Sequence, residues 1–351
     1  MSNFNVDSHK MMYHPDRVSE LMKTGDCFPI YVEIGPTNRC NHRCKFCALD
    51  WLEHGGSDID SETVYRNLEN MSKNGVKSIM FAGEGEPLLH KDITRFVENA
   101  HNNRLDISMT SNGVLFTPEK ADKMLKYLSW IRFSLDAGTP DTYSKIHGTR
   151  TRDFEKVMEN LRYASALKKS NGLKVSLDTQ FLLLPESIKE TVEAAKLVKA
   201  AGADDIQFKP YSAHPESKHG LSAPCENYSH LAEELEKLSS DNFRVLFRRQ
   251  TIERLNEGTN YPRCYGLPFF SLIDSKANVI PCNLFYNKPE FYYGNIKEQL
   301  FSEIWRADRR KEVLKKLDGL GTEKCRQGCR LDAINKYLHR LKNPEGGDNF
   351  I

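Results

Sequence analysis

Cys40-Asn41-His42-Arg43-Cys44-Lys45-Phe46-Cys47 places three cysteines within eight residues, spaced C-x3-C-x2-C, with an aromatic residue just before the last. Three thiolates hold three corners of a four-iron cluster and leave the fourth iron open. An open metal position belongs to a site that does chemistry, whereas a structural site closes its coordination. A zinc site would use the same residue types, with His42 as fourth ligand, although zinc motifs usually pair their cysteines with a distant second pair. A disulfide framework belongs to short secreted chains. This chain has 351 residues, an odd nine cysteines and no signal-like opening.

Outward from the cysteines, the pattern alternates. A short helix from His14 to about Gly25 comes first, with Pro15 near its start. Strands are expected at Pro29–Gly35, Lys77–Ala82, Leu105–Thr110, Trp130–Leu135, Leu173–Phe181 and Asp205–Pro210. Between them lie helices at Ser61–Asn74, with Ser61 as N-cap, at about Lys91–Asn102 and Thr117–Tyr127, in a stretch ending near Lys169, and at Ser187–Ala201. Strands alternating with helices imply parallel pairing through right-handed crossovers. In a parallel barrel, functional groups gather at the carboxyl ends of strands. The cysteines follow strand one, Glu84-Gly85-Glu86-Pro87 follows strand two, Ser111-Asn112-Gly113 strand three, and Ser134-Leu135-Asp136 strand four. That shared placement argues for one site.

The cysteine run and the three downstream motifs, in this order, resemble the radical SAM (radical S-adenosylmethionine) superfamily over nearly the whole chain. The resemblance implies an α/β fold: a partial (β/α)6 TIM-like barrel with a small C-terminal α+β auxiliary-cluster domain. It divides the chain into an N-terminal helical extension (1–27), the barrel (28–228), a linker helix and strand (229–255) and the auxiliary domain (256–351). It further implies that Cys40, Cys44 and Cys47 ligate a [4Fe-4S] cluster and that S-adenosylmethionine is the second cofactor. By the same resemblance Phe46 lies near the adenine, and Glu84, Gly85 and Glu86 correspond to a Gly-Gly-Glu-Pro element that meets the methionine ammonium. Glu84 stands where the family has glycine. Ser134 and Asp136 correspond to contacts with the ribose or the methionine carboxylate, and Asn112 joins them.

The residues also admit plainer readings. Glu84 and Glu86 fit a solvated turn, Asp136 a helix N-cap, and Ser-Asn-Gly an ordinary turn. Gln180 and Lys209, on strands five and six, fit polar groups at a barrel rim.

Cys264, Cys282, Cys325 and Cys329 form a second set. Phe269 to Pro281 reads as a hairpin turning at Asp274–Asn278. The set resembles the twitch or SPASM extension of radical SAM enzymes, and implies a second, fully ligated [4Fe-4S] cluster. A structural zinc fits four thiolates too. Cys27 reads as a small apolar filler. Cys225, in the loop after strand six, reads either as a hydrogen-atom donor to a substrate radical or as an incidental loop cysteine.

Net charge is +2, with 39% hydrophobic and 28% charged residues. No nucleic-acid footprint and no bilayer-length apolar run is visible. A cytoplasmic location is expected. The loop from Lys209 to His219 is rich in hydrogen-bonding groups, and about thirty residues precede strand one, which is short for a peptide-recognition domain. The expected substrate is therefore a polar small molecule (sugar, aminocyclitol or nucleotide-sugar), with dehydrogenation or epimerisation as outcome. An electron donor of flavodoxin or ferredoxin type is the implied partner. The rival readings are a peptide-modifying or protein-activating enzyme and a metal-binding protein without catalysis.

Overall fold

Along the parallel strands, apolar and polar residues alternate, and this alternation builds the molecule. The computed structural model describes residues 9–350 except 222–227, 250, 253–254, 256–257 and 327. After α1 (Pro15–Thr24), the chain runs β1 (Tyr31–Ile34), α2 (Ser61–Lys73), β2 (Ser78–Phe81), α3 (Ile93–Asn102), β3 (Asp106–Ser111) and α4 (Pro118–Met124). It continues through β4 (Trp130–Ser134), α5 (Pro140–His147), α6 (Thr151–Ser170), β5 (Ser176–Leu183), α7 (Thr191–Ala201) and β6 (Asp205–Pro210). Each pair from β1·β2 to β5·β6 is parallel and in chain order.

One face of these strands carries Val32, Ile34, Ile79, Phe81, Ile107, Met109, Ile131, Phe133, Leu177, Phe181, Ile206 and Phe208, each 0–1% exposed in the main hydrophobic core. The alternate positions are polar: Glu33, Ser108, Thr110, Arg132, Ser134, Asp178, Gln180, Gln207 and Lys209. Successive side chains of a strand point to opposite faces. The apolar set therefore meets the helices, and the polar set lines the concave inner side. Contacts across that side agree: Tyr31 donates its hydroxyl to Met80 Sδ at 3.4 Å, and Arg132 reaches Asp178 at 3.4 Å. Parallel strands buried on both faces are usually apolar throughout. A polar lumen is a departure that suits a polar guest.

The sheet is larger than the six-unit barrel expected. α8 (Ser229–Glu236) leads to β7 (Arg244–Phe247), which pairs parallel with β6. At the opposite edge β8 (Phe270–Ile273) pairs parallel with β1, register Tyr31 to Phe270, and β9 (Asn278–Ile280) and β10 (Gly294–Asn295) follow antiparallel. One ten-stranded sheet results, in the order β10-β9-β8-β1-β2-β3-β4-β5-β6-β7. The linker and the auxiliary segment thus extend the barrel sheet at both edges. Three helices finish the described chain: α9 (Phe301–Arg306), α10 (Asp308–Leu320) and α11 (Asp332–Lys342).

Local chemistry moves some boundaries. The N-cap of α2 is Asp60, whose carboxylate accepts from the Thr63 amide at 2.9 Å, while Ser61 is the first helical residue and donates to Asp92. The single helical stretch expected before Lys169 is two helices, broken at Gly148. That residue has φ +57°, and a Cβ there would enter the Arg43 carbonyl, so both its backbone and its surroundings demand glycine. Cys27 is buried among Met11, Leu21, Ile30, Phe269 and Leu338, as an apolar filler should be.

Candidate active site

The cysteine loop leaves β1 and is held by backbone rather than by its thiols. The Arg43 amide donates to the His147 carbonyl at 3.0 Å and the Lys45 amide to the Ile146 carbonyl at 2.8 Å. The loop thus uses the carbonyls that the last turn of α5 leaves unpaired. Arg43 turns its guanidinium back onto the carbonyls of Cys40 and His42 at 2.8 and 2.7 Å. On the other side, Asn38 accepts from the amides of Gly56 and Ser57, and Arg39 forks onto Asp58 at 3.1 and 2.6 Å.

The motif after β2 docks against the same loop. Glu86 donates its amide to the Arg39 carbonyl at 2.8 Å. Gly85 lies so close that a Cβ would sit 2.5 Å from the Thr37 carbonyl oxygen. Glycine is needed here for close approach. Glu86 is 3% exposed, and its carboxylate accepts from Ser111 Oγ (2.8 Å), the Asn112 amide (2.8 Å) and the Leu88 amide (3.1 Å). It ties β2 to β3, and burial raises its pKa. Glu84 points elsewhere, accepting from the Ser275 amide at 2.8 Å in the β8–β9 turn. Burial raises its pKa as well. Asn112 donates to Asn41 Oδ1 at 2.7 Å, so it fastens β3 to the cysteine loop itself.

Ser134 is half-buried at the end of β4. Asp136 is 0% exposed, with φ +57°. Its Oδ1 accepts from the Leu182 amide at 2.7 Å and its Oδ2 lies 3.6 Å from His147 Nε2. Burial pushes its pKa up to about 7. His147 is the neighbour that motif reading missed. Its Nε2 donates to the Leu135 carbonyl at 2.9 Å, its Nδ1 lies 3.4 Å from Cys44 Sγ, and Tyr143 stacks on it at 4.1 Å. Phe46 meets the same imidazole edge-on at 5.1 Å. The only sequence signal was a histidine before a helix-ending glycine.

Among the described residues, the one set of three His, Cys, Asp or Glu ligand atoms within 4.8 Å of one another is His42, Cys44 and His147. Those rings pack as an aromatic nest, and a metal there would take Cys44 from the trio. Four Zn–S bonds of about 2.3 Å would bring the sulfurs within about 4 Å of each other. Among the described residues, neither cysteine set brings three sulfurs within 4.8 Å of one another. Cys40, Cys44 and Cys47 are unbridged and half-buried on one loop, and three free thiols fit the ligation of a four-iron cluster with one open corner. Burial holds these thiols protonated, with Cys40 at about 11. Loading would therefore release protons.

Cys264, Cys282, Cys325 and Cys329 converge closely enough for their charges to act on one another. Donors already face them: Asn335 Nδ2 lies 3.5 Å from Cys264 Sγ and the Leu331 amide 3.4 Å from Cys329 Sγ. Hydrogen bonds to sulfur are one of the ways a protein tunes such a cluster. This set also reaches the barrel. Arg330, next to Cys329, pairs with Glu33 inside the barrel at 2.5 Å, and Arg326 donates Nε to the Ser212 carbonyl at 3.1 Å. Cys225 lies outside the described residues.

A polar strap crosses the mouth. The Lys218 amide donates to Asp50 at 2.7 Å, His214 stacks on Trp51 at 5.4 Å, and Lys288 pairs with Glu216 at 2.9 Å. Among the described residues, no helix is long and apolar enough to cross a membrane.

Comparison with known proteins agrees with this geometry. Residues 34–202 match the family model of the radical SAM superfamily, and residues 264–330 match that of the SPASM iron-sulfur cluster-binding domain. A probable GTP 3',8-cyclase of Methanocaldococcus jannaschii is 29% identical over 230 residues, covering 64% of this chain and 73% of that protein. The GTP 3',8-cyclase of Desulforamulus reducens is 36% identical over 145 residues, covering 39% of this chain and 43% of its own, less than half of that relative. Streptococcus suis SuiB shares the fold with a TM-score of 0.68 at 19% identity, over 98% of this chain and 82% of that one. The structure of anSMEcpe with bound AdoMet gives 0.59 at 19% identity, over 90% and 95%.

Proposed function

Because the chain belongs to the radical SAM superfamily and carries a SPASM iron-sulfur cluster-binding domain behind its barrel, we propose that it removes a hydrogen atom from a polar small molecule of sugar, aminocyclitol or nucleotide kind. Cys40, Cys44 and Cys47 would hold the barrel's [4Fe-4S] cluster, and Cys264, Cys282, Cys325 and Cys329 the auxiliary one. Bound there, the first cluster and S-adenosylmethionine supply a one-electron cleavage that yields methionine and a 5′-deoxyadenosyl radical.

The chain's own residues prepare the place. Asn41–Asn112, Gly85 against Thr37, and Arg43 and Lys45 on α5 fix the cysteine loop to the ends of two strands and of one helix at once. The strap from His214 to His219 is tied to Asp50, Trp51 and Lys288, where shielding from water would protect a reactive intermediate from side reactions. The observation that carries the substrate class is the inner face of the sheet. Thr110, Ser134, Gln180 and Lys209 replace the apolar side chains that a packed parallel barrel would present. Such groups need polar partners when enclosed, and a polyhydroxylated or nucleotide substrate supplies them. The similarity to proteins named GTP 3',8-cyclase favours the nucleotide end of this range, and with it a ring-forming outcome as the second reading beside dehydrogenation or epimerisation.

Anaerobic reconstitution tests the premise. About eight irons per chain are expected, falling to about four in Cys40→Ala. That variant should form no 5′-deoxyadenosine under strong reductant. Undiminished 5′-deoxyadenosine would overturn the assignment of the trio.

A further inference from the structure

Three donors meet at the barrel mouth without an acceptor. The alternation that sends Gln207 and Lys209 inward continues to Tyr211, just past β6. The Lys209 ammonium makes no hydrogen bond among the described residues, and the leading charges acting on it are those of Arg248, Arg326 and Arg132, followed by the Asp136 carboxylate. Tyr211 is 4% exposed, and its hydroxyl is buried without a partner among the described residues. Arg326 is fixed by Ser212, which takes Nε and Nη2. Its Nη1 is left without a hydrogen bond among the described residues, and Tyr211, Cys47 and Cys329 lie within its electrostatic reach.

Tyr211 is thus a buried donor without an acceptor, a costly state, and the half-buried Lys209 and Arg326 each bring to the same mouth a further donor with no acceptor among the described residues. Together they mark a place where an acceptor group arrives. We propose that Lys209, Tyr211 and Arg326 form an anion subsite that binds a phosphate group of the substrate. Guanidinium and ammonium groups are the usual partners of phosphate oxygens, the first through its planar fork and the second as a point charge. Neither cation hydrogen-bonds a carboxylate among the described residues, so a guanidinium and a titrating amine face the mouth, and a phosphate dianion would hold both charged. Burial and the neighbouring cations also push the Lys209 ammonium down to about 7, which a bound dianion would reverse. The subsite lies between the two cysteine sets, since Arg326 senses Cys47 of one and Cys329 of the other. A substrate anchored there is held across the mouth. This inference rests on the small-molecule reading above.

The test uses the reconstituted holoenzyme, kept anaerobic with S-adenosylmethionine present. Calorimetric titration compares GTP, UDP-glucose and glucose 6-phosphate with guanosine, uridine and glucose. At least one phosphate-bearing probe should bind tenfold or more tightly than its phosphate-free counterpart. Lys209→Met and Arg326→Gln should each weaken that probe at least tenfold, and the milder Tyr211→Phe severalfold, with S-adenosylmethionine affinity unchanged. Binding of the nucleotides alone identifies a nucleotide as the source of the phosphate, and binding of glucose 6-phosphate as well identifies a sugar phosphate. The subsite is overturned if no phosphate-bearing probe outbinds its counterpart. It is equally overturned if the variants weaken S-adenosylmethionine instead, or shift only the cluster midpoint potentials. Wild-type enzyme that forms no 5′-deoxyadenosine would sink the radical reading itself, whereas normal formation without phosphate discrimination sinks the subsite alone.

Discussion

At the scale of single residues, the site depends on close approach as much as on ligands. Gly85 has no room for a methyl group between the Thr37 and Arg39 carbonyls. Gly85→Ala should force the two loops apart, at a cost of about 1–3 kcal/mol by overpacking, and should lower the iron bound at the barrel site. Melting temperature and iron content check it together. Lys209 gives a second prediction, in pH. Its folded pKa of about 7 lies below the ordinary lysine value, because burial disfavours the ammonium. Between pH 7 and about 10.5 the unfolded chain binds more protons than the folded one, so stability rises with pH across that window. Lys209→Met removes the linkage. The variant should melt higher than wild type at pH 7, and the difference should shrink as pH approaches 10.

Residues also mark where sequence reading reached its limit. The seven cysteines of the two sets are recognisable because their spacing is local or their motif familiar. Glu86 and Asp136 were legible as motif members, but their partners were not: Ser111, Asn112 and Leu88 for the first, Leu182 and His147 for the second. Those contacts join different strand ends, and nothing in a single sequence fixes which strand ends face one another. Arg326 was passed over because an arginine between two cysteines reads as a solvated loop residue until the loop is seen lying on the barrel.

At the scale of elements, the β8–β9 turn shows how a local rule is bent. Ala277, a non-glycine residue, adopts φ +72° there. A non-glycine residue in that region costs about 1–2 kcal/mol. The turn forms nevertheless, because Asp274 accepts from the amides of Lys276 and Asn278 at 2.9 and 2.8 Å and from Asn278 Nδ2 at 2.9 Å. Ala277→Gly should therefore stabilise the protein by about 0.5–1 kcal/mol, less than the full strain because glycine loses more entropy on folding. Chemical denaturation measures this directly. A destabilised Ala277→Gly would show that the alanine methyl contributes packing that outweighs its strain. The break between α5 and α6 was hidden for a related reason, since helical periodicity runs through both and only the positive φ of Gly148 separates them.

At the scale of the whole molecule, alternation of strands and helices correctly indicated a parallel sheet and the order β1 to β6. It did not reveal which strands close the edges. β7 and β8 both read as parts of other regions, because pairing between distant strands leaves no mark in local periodicity. In the structure β8 covers the free edge of β1 along Tyr31–Ile34. A chain ended at residue 255 would expose that edge and the apolar face behind it. We expect such a truncation to aggregate or to melt without cooperativity, measured by calorimetry and gel filtration, rather than to behave as an independent barrel. A cooperative, monomeric truncation would restore the boundary near 256 as a true domain limit.

The pairing of β8 with β1 also orders events in time. Ile273 accepts the Gly35 amide at the root of the cysteine loop, and Ser275 meets both Ser57 and Glu84. These supports emerge from the ribosome more than two hundred residues after Cys40. The cysteine loop therefore reaches its final shape only once the β8–β9 segment has emerged and folded back against β1, and we expect any metal insertion to follow that step rather than precede it.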